Sequence, residues 1–452
     1  MTTPERAQLP RRLGTWSAVA VVVGITIGSG IFRSPASIAG RLPSPIPMMA
    51  VWIVGAAVAL CGALTLSEVA SAYPRTGGLY AFIREGWGRP AAFLFGWAEL
   101  VIIRAAALGA VATTFAEYAL RMRSGAPLST SHESDAHYLA AAAIVLLGAL
   151  NVVGVRASAL VLELTVVAKY GALLFIVLLA IVVHPAGAAP TVAVTATGAA
   201  PLITVGAFGL ALVSVLWAYD GWADLSFIAG EVKDPARTLP RAFIGGTIAV
   251  VVIYLAANLS YLAVIPIREM PASRLVAADV AQRLVGQWGV VLIGVAVVLA
   301  TFGTLNGSLL TASRIFFAMA EDGVLFRSLA AVHARFGTPY VAILLTTTMG
   351  VVFVLLGTFE QLADAFVTAI VPFYALAVAS VFVFRRRAEY APPFRVPGYP
   401  VVPIVFVLAA SYLFINGLVD PSSRVATASI LGVTLAGLPV YYLVLGPRRL
   451  TR

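Results

Sequence analysis

The sequence predicts an all-α integral membrane protein with about twelve transmembrane helices. Three observations carry that prediction. First, the 452 residues are 60% hydrophobic and only 11% charged, whereas an ordinary soluble domain is about 45–50% apolar and about 25% charged. Second, apolar stretches recur along the whole chain, each close to the roughly 20 residues that a spanning helix needs. Third, the polar breaks between them are short. A dozen spans use about 240 positions, which leaves no room for a large soluble domain.

The first span is expected over residues 15–39. Arg11 and Arg12 precede it as in a signal peptide, but the apolar run from Thr15 to Phe32 exceeds the roughly 7–15 residues of a signal core. It is therefore read as a retained helix. Four more spans follow near 46–72, 91–121, 138–156 and 158–183. A second group lies near 202–230, 241–266, 288–320, 340–358 and 361–384. The last two lie near 400–417 and 426–446. The fourth and fifth nearly touch at Arg156, so eleven or thirteen spans also fit. The chain then divides into a segment 1–14, a five-helix unit 15–183, a second five-helix unit 202–384, a final pair 400–446 and a tail 447–452.

Basic residues set the orientation. With the N-terminus inside, most of the 30 Lys and Arg residues are cytoplasmic. Arg75, Arg84, Arg89, Lys233, Arg237, Arg241, Arg385, Arg386 and Arg387 are among them, against a smaller outside set such as Arg121, Arg123, Arg268 and Arg283. Both termini are then cytoplasmic. The net charge of +10 becomes a topological signal, and nucleic acid drops out as a partner. Cys61 is the single cysteine, so no internal disulfide forms. The four histidines are scattered, with no metal-binding spacing, and no metal or cofactor is expected.

Two spans are interrupted. The first carries Gly24-Ile25-Thr26-Ile27-Gly28-Ser29-Gly30-Ile31-Phe32, and the sixth carries Trp217-Ala218-Tyr219-Asp220-Gly221-Trp222-Ala223-Asp224. They stand five spans apart. If spans 1–5 and 6–10 are repeats, an odd number of helices forces inverted topology, and the breaks are equivalent. Glycine weakens a helix, and freed backbone groups in hydrocarbon need partners. The amides of Gly28, Ser29 and Gly30 sit at a half-helix N-terminus and suit a carboxylate. Carbonyls near Ile27 and at Trp217, Ala218 and Asp220 suit an ammonium group. Together they describe a site for an α-amino acid, with Thr26 and Gly221 beside it. Gly24 and Gly28 also form a GxxxG pattern that serves close helix packing. For span 1 alone the two readings weigh equally. The second break, with Asp220 and Asp224 in an apolar segment, moves the balance to function.

Lys169 lies inside span 5, where a charge costs about 2.5–3.5 kcal/mol on insertion scales. Some ten residues of span precede it, which makes snorkelling to the interface awkward. A buried role follows, as fixed cation or as titrating group. Arg104 and Glu99 in span 3 are five apart, a poor contact spacing on an α-helix, so Glu99 is expected to meet another helix. Glu68 and Glu163 are read as structural ion-pair partners. Residues 270–286, between spans 7 and 8, form an amphipathic segment, either an external lid helix or a helix on the membrane interface.

These residues carry a resemblance. The chain is similar to the amino acid–polyamine–organocation transporter superfamily over nearly its whole length, through Gly28-Ser29-Gly30-Ile31-Phe32 and through Tyr73-Pro74-Arg75-Thr76-Gly77-Gly78-Leu79-Tyr80. Within it, the chain most resembles the L-type amino acid transporter family. The supporting motifs are Tyr219-Asp220-Gly221-Trp222 with Gly230-Glu231-Val232-Lys233-Asp234-Pro235, then Ile102-Ile103-Arg104, and then Phe302 to Ser308 with Asn306 and Ser308. The resemblance implies a LeuT-type five-plus-five inverted repeat with helices 1 and 6 broken, alternating access, and amino acid exchange in an inner (plasma) membrane. It implies Trp217 as an occluding aromatic. It implies Lys169 in place of a coupling sodium, hence sodium independence.

Departures matter. Trp217 stands where human-type members usually have Phe, which favours Ala, Ser, Thr or Gly as substrates. Ala223 replaces a usual Asn, and Ala105 a usual Pro. The loop between spans 3 and 4 lacks the cysteine that tethers a heavy chain, so a stand-alone bacterial transporter is expected. A proton-coupled symporter of amino acids or amines is the runner-up. A membrane-embedded enzyme ranks low for want of a nucleophile–base arrangement, and a channel for want of a filter.

Overall fold

The structure, a computed structural model, describes residues 11–445 except 12, 76, 126–127, 129–131, 154, 184–203 and 324. The side chains of 155–164, 166–168, 314, 317–318 and 321 are also left aside. Glu163, most of the segment 1–14 and the tail 447–452 therefore lie outside the described residues.

Among the described residues the fold is helical throughout, and helices occupy every interval expected from the sequence. α1 (Thr15–Thr26) and α2 (Gly30–Arg41) are one interrupted span, bent by 42° at the break. α3 (Pro45–Ala72) follows. A short helix, α4 (Gly78–Trp87), precedes α5 (Arg89–Ser124), then α6 (Glu133–Val153) and α7 (Val155–Val183). The second interrupted span is α8 (Val205–Tyr219) continued by a 3-10 helix, Trp222–Glu231. Then come α9 (Pro235–Val264), α10 (Val276–Val285), α11 (Gln287–Glu321), α12 (Tyr340–Leu356) and α13 (Phe359–Phe384). α14 (Val401–Val419) and α15 (Arg424–Leu443) close the chain.

Among the described residues, nine helical stretches, α8 counted with its 3-10 continuation, are long and apolar enough to cross a membrane, and the bent α1–α2 pair makes a tenth. Two shorter apolar stretches, Lys169–Val183 and Tyr340–Leu356, cover the remaining intervals. The chain is a multi-pass membrane protein. Its lipid-facing surface stays apolar, with Val182, Val252, Leu356 and Leu408 exposed. Trp16 and Trp288 stand 86% and 82% exposed near span ends, where aromatic rings suit the membrane–water interface.

The broken spans pack inside the bundle. α1 lies against α9, α2 against α8, and α5 runs along α11, α12 and α13. The core beside the breaks is aromatic. Trp52, Tyr219 and Tyr254 form a cluster with ring centroids 5.4–6.0 Å apart. Leu13 and Val232 form a parallel bridge. Leu13 N–H donates to Glu231 O (3.0 Å) and Lys233 N–H to Leu13 O (2.8 Å). This ties the start of α1 to the end of the 3-10 helix.

Two of the sequence expectations resolve here. α10 buries Val276, Ala277, Ala278, Val280 and Ala281 completely. Arg121 of α5 donates to Asp279 (3.1 Å) and Gln282 (2.5 Å). This helix is thus docked on the protein, against α2 and α11 among others. Glu68 is a structural anchor. Its carboxylate accepts from Arg385 Nε (2.8 Å) and Nη2 (2.6 Å), the Val396 amide (2.7 Å) and the Tyr390 hydroxyl (3.3 Å). It fastens α3 to the end of α13 and the segment beyond.

Candidate functional site

The two breaks meet. A Cβ on Gly30 would stand 2.4 Å from Ala218 Cα, and one on Gly221 would stand 2.7 Å from the Thr26 nitrogen. Each break therefore needs a glycine where it abuts the other's backbone. Gly221 has φ 113°, a left-handed conformation that glycine adopts without strain. Thr26 closes α1 by donating its hydroxyl to Val22 O (2.7 Å), and Tyr254 holds Thr26 O with its hydroxyl (2.8 Å).

The broken backbone leaves groups of both polarities. The Gly28 amide turns back onto Thr26 O at 2.8 Å, so it is engaged within the break. The amides of Ser29, Gly30 and Ile31, at the start of α2, have no backbone acceptor among the described residues. The donor set at this helix N-terminus is thus shifted one residue along from Gly28. The carbonyls of Ile27 and Ala218 likewise have no donor among the described residues, while Trp217 O accepts the Asp220 amide at 3.3 Å.

A cavity lies against the breaks. Of the residues singled out from the sequence, Thr26, Gly28, Ser29, Gly30, Arg104, Trp217, Asp220 and Ser308 line it. Ile27, Ala218 and Gly221 instead pack behind it and shape the breaks. Asn306 lies away from the cavity, where Asn151 Nδ2 donates to its side-chain oxygen (2.9 Å). Ser29 Oγ and Trp217 Nε1 are buried without a partner among the described residues, and both belong to cavity-lining side chains. Trp217 is held edge-on by Phe366 and Phe359, with centroids 5.1 and 6.1 Å away.

Lys169 does not line the cavity. Its ammonium donates to Gly24 O (2.5 Å) and to Thr304 Oγ1 (2.7 Å), and the residue is 2% exposed. It joins α1, one turn before the break, to α11. Thr304 itself lines the cavity.

The expectation that Glu99 meets another helix is corrected. Residues Glu99–Ile103 form one turn of π-helix inside α5. The wider turn, with i→i+5 hydrogen bonds, brings residues five apart onto one face. Arg104 Nη2 and Nε lie 3.2 and 3.3 Å from Glu99 Oε2. No pattern of apolar residues announces such a turn. Tyr374 was also missed. Its hydroxyl donates to Asp220 Oδ1 at 2.6 Å, but in an apolar span it reads as one more packing aromatic. Asp224 lines the cavity as well.

A pair of helices broken side by side around a cavity, inside a multi-pass bundle, is the architecture of a secondary transporter. The amide and carbonyl sets at the breaks match the two ends of a zwitterion. The chain belongs to the amino acid permease family, whose model matches residues 13–443. It is 30% identical to the serine/threonine exchanger SteT of Bacillus subtilis, over 96% of this chain and 97% of that protein. It is also 30% identical to the human b(0,+)-type amino acid transporter 1, over 97% and 89%. A further relative at 30% identity is the mouse large neutral amino acids transporter small subunit 2, over 96% and 81%. The protein is thus an amino acid transporter of the amino acid–polyamine–organocation superfamily, resembling its L-type members, and not an enzyme.

Proposed function

We propose that the protein is a sodium-independent exchanger of neutral L-amino acids, small ones favoured, working by alternating access. The observation that carries this is the contact of the two breaks, with unpaired amides and the Ile27 carbonyl on the first and the unpaired Ala218 carbonyl on the second. In this reading the substrate carboxylate meets Ser29, Gly30 and the start of α2. The substrate ammonium meets the carboxylate of Asp220, with the carbonyls of Ile27 and Ala218 directed at it from behind the cavity wall. Gly28 and Gly221 shape the cradle, and Trp217 caps it. Trp217 and its flanking Phe359 and Phe366 crowd the side-chain end, which supports small substrates. The likeness to a serine/threonine exchanger points the same way.

Lys169 serves as a fixed cation that couples α1 to the scaffold helix α11 and takes the place of a sodium ion. Residues 15–183 and 202–384 form the two inverted repeats, twelve spans cross the plasma (inner) membrane, and both termini are cytoplasmic. The protein works without a disulfide-linked heavy chain, since Cys61 lies within α3. Counterflow of a labelled amino acid panel into proteoliposomes, with and without sodium, tests the proposal. Alanine, serine, threonine and glycine are expected to exchange equally in sodium and choline media. Preference for leucine or phenylalanine, or a sodium requirement, would refute it. Accumulation driven by a pH gradient without internal amino acid would instead favour the symporter.

A further inference from the structure

The charges lining the cavity do not balance. Glu99, Asp220 and Asp224 supply three carboxylates, and Arg104 one guanidinium. Two carboxylates have partners. Glu99 is paired with Arg104, and Asp220 accepts the Tyr374 hydroxyl and faces the proposed position of the substrate ammonium. The Asp224 amide donates to Gly221 O (3.2 Å), but its carboxylate has neither a hydrogen bond nor an ion pair among the described residues. It stands one turn beyond Asp220, on the 3-10 helix. A bound zwitterion brings no net charge, since its ammonium and carboxylate cancel, with Asp220 facing the ammonium and the helix-end amides the carboxylate. Occlusion would then leave Asp224 as a lone anion away from bulk water, which is far more costly than neutralising it.

The surroundings offer Asp224 no other cation. On α5 it faces Glu99 and Arg104, on α13 Tyr374, and on its own segment Asp220. α1 carries no titratable side chain. On α3 Glu68 is engaged by Arg385, and on α4 Arg84 and Tyr80 are engaged by Asp322. Arg237 and Arg241 of α9 are exposed. Among the described residues, no three His, Cys, Asp or Glu side chains come together to hold a metal ion.

We propose that Asp224 is the proton site of the substrate cavity: the transporter takes up a proton on the Asp224 carboxylate with each amino acid it occludes. The proton comes from the aqueous phase on the loading side and leaves with the substrate on the other. Because both directions of an exchange cycle carry it, exchange remains electroneutral and no pH gradient drives it. This deepens the exchange reading and rests on it.

The test uses the full-length protein with L-serine and L-alanine as probes. Calorimetric titration in buffers of different ionisation enthalpy counts protons. At alkaline pH, binding should take up about one proton per amino acid in the wild type and none in Asp224→Asn. Counterflow at equal pH on both sides should fall about tenfold per pH unit on the alkaline limb in the wild type. In Asp224→Asn it should be flat. Binding without proton uptake in the wild type, or unchanged uptake in Asp224→Asn, overturns the proposal. The wild-type proton count decides the matter even if the variant fails to fold. If neither amino acid binds or exchanges, it is the exchange reading that fails.

Discussion

Replacing Lys169 by methionine keeps the aliphatic stem and removes the ammonium that donates to Gly24 O and Thr304 Oγ1. A hydrogen bond to a charged group contributes about 1.5–3 kcal/mol, so the link between α1 and α11 loses roughly 3–6 kcal/mol. Against this, the variant no longer holds a cation out of water, an effective cost of several kcal/mol. The two effects oppose each other in global stability. They do not oppose each other in coupling, because desolvation is relieved wherever α1 moves while the link acts only between α1 and the scaffold. Lys169→Met should therefore purify as a monodisperse protein with a melting temperature close to wild type. Its counterflow should fall about 100-fold, the equivalent of roughly 3 kcal/mol. The assay is exchange of labelled serine in proteoliposomes, normalised to reconstituted protein. Exchange within about twofold of wild type would refute the coupling role, since 3 kcal/mol cannot be lost with so small a change. A fall in melting temperature that tracks the lost activity would refute it as well.

Three further outcomes are expected. Gly30→Ala and Gly221→Ala place a Cβ 2.4–2.7 Å from the opposite break, so both should abolish counterflow. Gly245→Ala, with nothing within 4 Å, should not, and equal activity of all three would remove the contact from the mechanism. Glu68→Gln breaks a buried ion pair, a loss of about 3–5 kcal/mol. Its melting temperature should drop clearly, and an unchanged value would deny Glu68 its anchoring role. Trp217→Phe enlarges the side-chain end of the cavity, and leucine should then compete about tenfold better for serine exchange. Unchanged competition would mean that Trp217 does not set substrate size.

The helices and the breaks were legible because their causes are local. Apolar length marks a span wherever it occurs, and Gly28-Ser29-Gly30 and Asp220-Gly221 interrupt their helices in any context. Lys169 was legible for the opposite reason, since a charge in hydrocarbon stands out from its neighbours. What escaped was set by backbone geometry or by distant partners. The Glu99–Arg104 pair depends on a single π turn that no residue pattern marks. Tyr374 meets Asp220 from 154 positions away. The engagement of the Gly28 amide follows from how the chain turns at the break, which composition does not fix. Asp224 was visible in the sequence as a second acid, but its lack of a partner appears only once Arg104 is seen to be taken by Glu99.

The short parallel bridge at Leu13 and Val232 acts as a yoke. Leu13, just ahead of α1, joins the start of the first interrupted span to the end of the second, so neither end can move alone while its hydrogen bonds hold. Whatever pulls on this strand of chain, whether an attached reporter or a bound neighbour, loads both halves of the moving machinery together. Leu13 is therefore a handle on the cycle itself.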